Sequence, residues 1–174
     1  MPNIEDILKA AKPRERTVRV CVRGDLASEA ERLADELAQV SQEWEPSSIA
    51  DEHPARTIAA QLRIAQTAAK AAEEPFVLRF IGDQAYSDLL AAHPSDNANE
   101  LFDDRTFPKA LIVASCVDPK MTPEQANALF EIVNKGEQKR LFDAAWEVNN
   151  DAAADASPFS LAASALLAAV GGEK

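Results

Sequence analysis

The sequence predicts a mainly α (α+β) protein: a small two-stranded sheet with an inserted antiparallel helical hairpin, covered by a C-terminal helical bundle. Three observations predict it. Alanine occurs 34 times in 174 residues and glycine only five times; this favours helix, because Ala gives up little side-chain entropy there and Gly the most backbone entropy. Two short runs, residues 17–22 and 74–81, are rich in β-branched and aromatic residues, as strands are. Between them lie two runs whose apolar residues recur every three or four positions, the spacing that keeps two helices in contact.

The elements follow in order. Residues 3–12 read as a short helix with Asn3 as N-cap and Pro13 as its stop. Ile4, Ile7, Leu8 and Ala11 share one face, and residues 1–15 form an N-terminal arm. The first strand, 17–22, ends at Gly24-Asp25, where Asp25 is placed to cap the next helix. That helix carries Leu26, Ala30, Leu33, Leu37, Val40 and Trp44 at heptad spacing. Glu45-Pro46-Ser47-Ser48 breaks the pattern. A second seam then runs through Ala55, Ile58, Leu62, Ala65, Ala69 and Ala72. One seam is large and the other mostly Ala, so the two pack closely as a hairpin over 25–72; self-association through the same seams is the alternative. A hairpin returns the chain to its start, so residues 74–81 pair with the first strand. Two strands alone are marginal in water, so further helices cover the apolar face.

Those helices come next. Asp83 is placed to cap a helix over 84–92, with Ala85, Leu89 and Ala92 inward. A turn-rich stretch, residues 93–99, follows. Thr106-Phe107-Pro108 starts an apolar helix over 109–117, ended by Asp118-Pro119. Thr122-Pro123-Glu124-Gln125 is a capping box with Pro at the first helical position, leading into a helix that buries Ala126, Leu129, Phe130 and Val133. Gly136 separates it from a helix over 137–149 with Leu141, Phe142, Ala145 and Val148 inward and Trp146 in the core. The globular domain is thus 16–150. Residues 151–174 are an appendage: an Asp/Ala linker, then a helix restarted by Ser157-Pro158 with Phe159, Ala163, Leu166 and Val170 on one stripe.

Charge narrows the function. A net charge of −11 and a pI near 4.6 disfavour nucleic acid and anionic membranes as partners, since both attract basic patches. No run approaches the roughly 18 apolar residues of a membrane span, and the first residues lack the basic and apolar regions of a signal peptide. Cys21 and Cys116 stand alone and read as reduced thiols of a cytosolic protein. Catalytic patterns are scarce: there is no GxSxG, P-loop or GxGxxG. His53 and His93 each precede a proline and read as exposed turn residues. Glu100, Asp103 and Asp104 form the one local acidic group and read as a solvated helix end. Cys116, inside an apolar run, reads as a core filler. No cofactor or metal site is expected. Trp44 at the hairpin tip and the stripe of Phe159, Leu166 and Val170 are the candidate partner-binding residues, since Trp is favoured at interfaces; packing across the hairpin tip for Trp44, and docking on the chain's own body for the stripe, are the alternatives.

Several blocks carry a family resemblance. Phe107-Pro-Lys-Ala-Leu-Ile-Val-Ala-Ser-Cys-Val-Asp-Pro-Lys-Met-Thr-Pro-Glu-Gln-Ala-Asn-Ala-Leu-Phe, followed by Leu141-Phe-Asp-Ala-Ala-Trp-Glu-Val-Asn, resembles tail assembly chaperones of long-tailed actinobacterial phages, counterparts of the lambda G protein. Val20-Cys-Val-Arg-Gly-Asp-Leu, Phe76-Val-Leu-Arg-Phe, Leu90-Ala-Ala-His-Pro and Ser157-Pro-Phe-Ser-Leu-Ala-Ala-Ser-Ala are similar too. The resemblance spans residues 17–168; the Ala-rich hairpin and the N-terminal helix depart from it. It implies a non-enzymatic protein of the host cytoplasm, absent from the finished virion. Such a protein holds the tape measure protein and assists recruitment of major tail tube subunits, often through a longer frameshifted form. The alternative is a structural virion protein, a tail terminator or head–tail connector subunit. An enzyme using Glu100, Asp103 and Asp104 is a distant third.

Overall fold

The structure is a computed structural model in which residues 3–43 and 55–151 are described. Trp44, His53, Phe159, Leu166 and Val170, with the hairpin tip, most of the linker and the C-terminal helix, lie outside the described residues. The order is α1 (Ile4–Ala10), β1 (Glu15–Cys21), α2 (Gly24–Glu43), α3 (Ala55–Ala71), β2 (Glu73–Arg79), α4 (Asp83–Ala92), α5 (Phe107–Ser115), β3 (Cys116–Asp118), α6 (Pro123–Ile132) and α7 (Lys135–Asn150). The protein is α+β, mainly helical, with one small antiparallel sheet.

β1 and β2 pair antiparallel, with Val18 opposite Phe76 and Arg16 opposite Leu78. Between them α2 and α3 pack against one another, so the hairpin returns the chain as the seams require. Leu33 is buried, and Leu26, Ala30, Leu37 and Val40 are half-buried, as are Ala55, Ile58, Leu62, Ala65, Ala69 and Ala72 on the facing run. Off the seam, Ile64 is 71% exposed.

The sheet has a third strand beyond the expected two. β3 lies against β2, with Leu78 opposite Cys116 and Val77 opposite Asp118, and the register shifts between them. The helix expected to run to residue 117 stops at Ser115. An apolar run with no clear period does not separate helix from buried strand, and the residue before a proline, here Asp118, is steered away from helical backbone. Pairing with the free edge of β2 decides the matter.

Three other boundaries differ. Asp83 does not cap α4; it is the first helical residue, behind Gly82, whose φ of 96° suits glycine alone among common residues. The inward face of α4 is Tyr86, Leu89 and Leu90, while Ala85 and Ala92 are exposed, because covering a tyrosine ring removes more apolar surface from water than covering alanine. Asp25 likewise lies within the first turn of α2, where Arg23 holds its carboxylate at 2.6 Å and lowers its pKa to about 2. Gly136 does not divide two helices. Asn134 caps α7 by accepting from the Glu137 N–H at 3.0 Å, so Gly136 falls in the first turn. The capping box is as expected: Thr122 Oγ1 accepts from Gln125 N–H, and Gln125 Oε1 accepts from Thr122 N–H.

The core forms where α5 and α7 meet the sheet. Val20, Phe76 and Leu78 come from the strands, Phe107, Leu111 and Ile112 from α5, and Leu141, Ala144, Ala145 and Val148 from α7. Trp146 packs against it, tilted on Phe102 and Phe142 at 5.8 and 6.0 Å between ring centroids. Polar ties fix the end of α7. Arg14 donates to the carbonyls of Glu147 and Asp151 and to Glu147 Oε1, and Arg16 pairs with the same carboxylate. This clamp pins the start of β1 to the end of α7.

Both cysteines are free thiols. Cys116 is 3% exposed, its Sγ donates to the Pro119 carbonyl at 3.2 Å, and burial pushes its pKa up to about 11. Thiolate, not thiol, reacts with alkylating reagents. Iodoacetamide at pH 8 should therefore modify half-buried Cys21 in the native protein and reach Cys116 only after denaturation. Equal rates at the two sites by mass spectrometry would refute the placement of Cys116 in the core.

Candidate functional site

α5 is apolar on more than one face. At about 100° per residue, Phe107, Leu111 and Ser115 point to the core, while Thr106, Ala110 and Val113 form a second face turned about 130° from it. A helix in contact with water on that second face leaves apolar surface for something else to cover. There α4, α5 and α6 border an open groove of about 580 Å³. Leu89, Ala110, Val113, Ala114 and Pro123 supply its apolar wall, and His93, Arg105, Thr106, Lys109 and Asn127 its polar rim.

The Arg105–Lys109 ridge also borders a second cleft of about 510 Å³, between α5, α6 and α7. Pro108, Ile112, Phe130 and Phe142 line it, and four cations, Arg105, Lys109, Lys135 and Lys139, face two acids, Asp104 and Glu131. Arg105 is already paired with Asp103 and Lys139 with Asp143, so Lys109 and Lys135 are left opposite the two acids with no net positive charge. Lys109 Nζ donates to Asn127 Oδ1 at 2.7 Å and lies 5.4 Å from the centroid of Phe130; no described carboxylate pairs with it.

The residues singled out from the sequence fall as follows. Trp44, Phe159, Leu166 and Val170 are outside the described residues, so nothing brings them to the groove. His93 is not an exposed turn residue. It is half-buried, with Nδ1 2.9 Å from Thr106 Oγ1 and its ring 6.3 Å from that of Phe107, edge-on. The pair ties the end of α4 to the start of α5. A hydroxyl beside an imidazole is the beginning of a nucleophile–base arrangement, but the relay needs a third group on the other ring nitrogen. No described residue bonds His93 Nε2.

The acidic group is dispersed among structural roles. Asp103 accepts from Arg105 Nε at 3.0 Å and from Arg105 N–H at 2.9 Å, and this hydrogen bonding lowers its pKa. Glu100 accepts from Ser95 Oγ and Asn97 Nδ2 within the loop. Among the described residues, no group of three or more His, Cys, Asp and Glu side chains is placed to hold a metal ion. The geometry on offer is an apolar groove with a polar rim, where Lys109 is the cation without a described carboxylate, suited to receiving the apolar face of a helix.

Sequence reasoning missed Ala110, Val113 and Ala114 as a surface. The signal was present: residues 107–117 are apolar nearly all round, more than one buried face can use. Comparison of the chain with family models, curated proteins and solved structures finds no match.

Proposed function

We propose that the chain is a phage tail assembly chaperone, a non-enzymatic protein that holds an apolar helical stretch of a tape measure protein and assists recruitment of major tail tube subunits. The observation that carries the reading is the groove between α4, α5 and α6, whose apolar wall, apart from Leu89, comes from the same Phe107-to-Phe130 block that resembles the family. Helix-in-groove recognition needs such a wall with polar groups only at its rim. Lys109 at the rim suits a client helix with a carboxylate beside its apolar face. The acidic body favours neither nucleic acid nor anionic membrane, and among the described residues no helix is long and apolar enough to cross a membrane. On this reading the protein works in the host cytoplasm during assembly and leaves before the virion is complete.

Co-expression tests it. The tape measure protein should be soluble with the wild-type chain and return to the insoluble fraction with Val113→Asp, which places a charge on the groove wall. Ala114→Glu, at an exposed position on the same wall, gives the same readout without touching the core. If the tape measure protein is equally insoluble with and without the wild-type chain, the proposal fails. Stoichiometric amounts of the chain in purified particles, measured by mass spectrometry, would favour a structural virion subunit instead.

A further inference from the structure

We propose that the C-terminal segment, residues 157–170, folds back on its own chain and seats the stripe of Phe159, Leu166 and Val170 in the α4/α5/α6 groove. No described contact places the segment there. The docking rests on where the described chain ends, on the length of the leash and on the composition of the segment. Only its meaning for a client rests on the tail-assembly reading.

Asn149 fixes the starting point. Its side-chain amide accepts from the Ile81 N–H and donates to Ser115 Oγ. Ile81 stands two residues before α4, and Ser115 is the last residue of α5. At the other ends of these helices, His93 Nδ1 lies 2.9 Å from Thr106 Oγ1. α4 and α5 therefore run antiparallel, and α7 ends where α4 begins and α5 finishes. The groove follows α5 away from that point: Val113 and Ala114 directly precede Ser115, and Thr106 lies at the far end. Arg14 holds the Asp151 carbonyl, so the leash leaves from a fixed origin.

The leash is long enough for this groove. Ser157 is six residues past Asp151, and six residues reach at most about 20 Å. A helix is about 10–12 Å across, so the chain can pass the end of α5 and lay a helix along its second face. From Ala114 back to Thr106, α5 rises about 12 Å, and a helix from Phe159 to Leu166 spans about 10 Å. A short tether also sets an effective concentration on the order of millimolar, which favours the chain's own groove over that of a second copy.

Composition supplies the need for cover. Residues 157–172 hold no charged side chain, in a chain that is 27% charged. A helix of this length is marginal in water by itself, and its stripe is apolar surface that gains by burial. Ala162 and Ala163 lie beside the stripe at helical spacing, and Ala110 and Ala114 stand on the wall. Small residues on both sides let two helices approach closely, leaving Phe159 and Leu166 to fill the space beside Val113 and Leu89. The stretch brings no carboxylate to Lys109. A client helix that carries one makes a rim contact the segment lacks, and that difference is what displaces the segment.

Hydrogen exchange read by mass spectrometry on the full chain tests the docking with no client present. Peptides from residues 159–170 should exchange about tenfold or more slowly in wild type than in Ala114→Glu, which puts a charge on the wall. Ala114 is exposed, so exchange in β2 and α7 should be unchanged. Leu166→Asp should lose the protection to the same extent. The protection should be equal at a few and at about 200 µM protein, because the segment is tethered. A second measurement needs no variant: in the wild-type chain, nuclear Overhauser contacts should join the methyls of Val113 or Leu89 to Phe159 or Leu166. An unprotected wild-type segment overturns the proposal, as does protection that survives either variant or the absence of those contacts. Protection that rises with concentration makes a second copy the occupant and overturns it too. Neither measurement contains the tape measure protein, so failure of the docking and failure of the chaperone reading are separate results.

Discussion

Phe107→Ala should destabilise the protein by about 3–5 kcal/mol, the cost of removing a buried phenylalanine ring and leaving part of the space empty. Phe107 is fully buried at the first position of α5. Its ring stacks on Phe102 at 4.3 Å between centroids and takes the edges of Tyr86 at 6.2 Å and His93 at 6.3 Å. These partners come from α4 and from the connection between α4 and α5, so one side chain holds three stretches of chain together. Collapse into the vacancy would require the loop to move as a unit, which argues for the upper part of the range. Urea titration would show the loss as a lower midpoint with an unchanged slope. Against a typical domain stability of about 5–15 kcal/mol, it would leave little in reserve. A loss under about 1.5 kcal/mol would mean that the ring cluster repacks freely and that Phe107 is not its hub.

Asn149→Ala should cost about 2–3 kcal/mol, an unusual loss for a half-buried polar residue, because it strands partners on two other elements. Asn149 Oδ1 accepts from the Ile81 N–H at 3.1 Å, and Nδ2 donates to Ser115 Oγ at 2.9 Å and to the Ala145 carbonyl at 2.7 Å. Ser115 is fully buried, the one buried polar residue of the described core. Its hydroxyl, at 0% exposure, is closed off from solvent, and the half-buried Ile81 amide loses its partner with it. Hydrogen exchange should show faster exchange at Ile81, and the double variant Ser115→Ala/Asn149→Ala should cost less than the two single changes summed. Full additivity would refute the network.

The two predictions mark the boundary between what patterns reveal and what packing adds. Asn3, Thr122 and Gln125 announce their caps because a capping side chain bonds to backbone within three residues of itself. The hairpin seams are equally legible, since residues three and four apart share a helix face whatever they pack against. Residues 107–117 were not divisible in this way. Where apolar residues fill both faces, the partner chooses between helix and strand, and the partner was the edge of β2. The phase of α4 failed for a related reason. Ala85 and Tyr86 are adjacent on the helix, and only the neighbouring ring of Phe107 settled which of them turned inward.

The sequence by itself determined the class of the fold, the pairing of its first two strands, the helical hairpin between them and the faces of α2, α3, α6 and α7. These rest on local periodicity and short-range hydrogen bonds. Tertiary structure alone decided the third strand, the inward face of α4, the clamp of Arg14 and Arg16 on Glu147 and the groove beside α5. Each of these depends on groups distant in sequence meeting at a distance that no local pattern encodes. The groove shows this most clearly. Val113 and Ala114 belong to the same apolar run as Leu111 and Ile112, and they line a surface rather than a core only because α7 and the sheet cover one side of α5, leaving the other to the gap between α4 and α6.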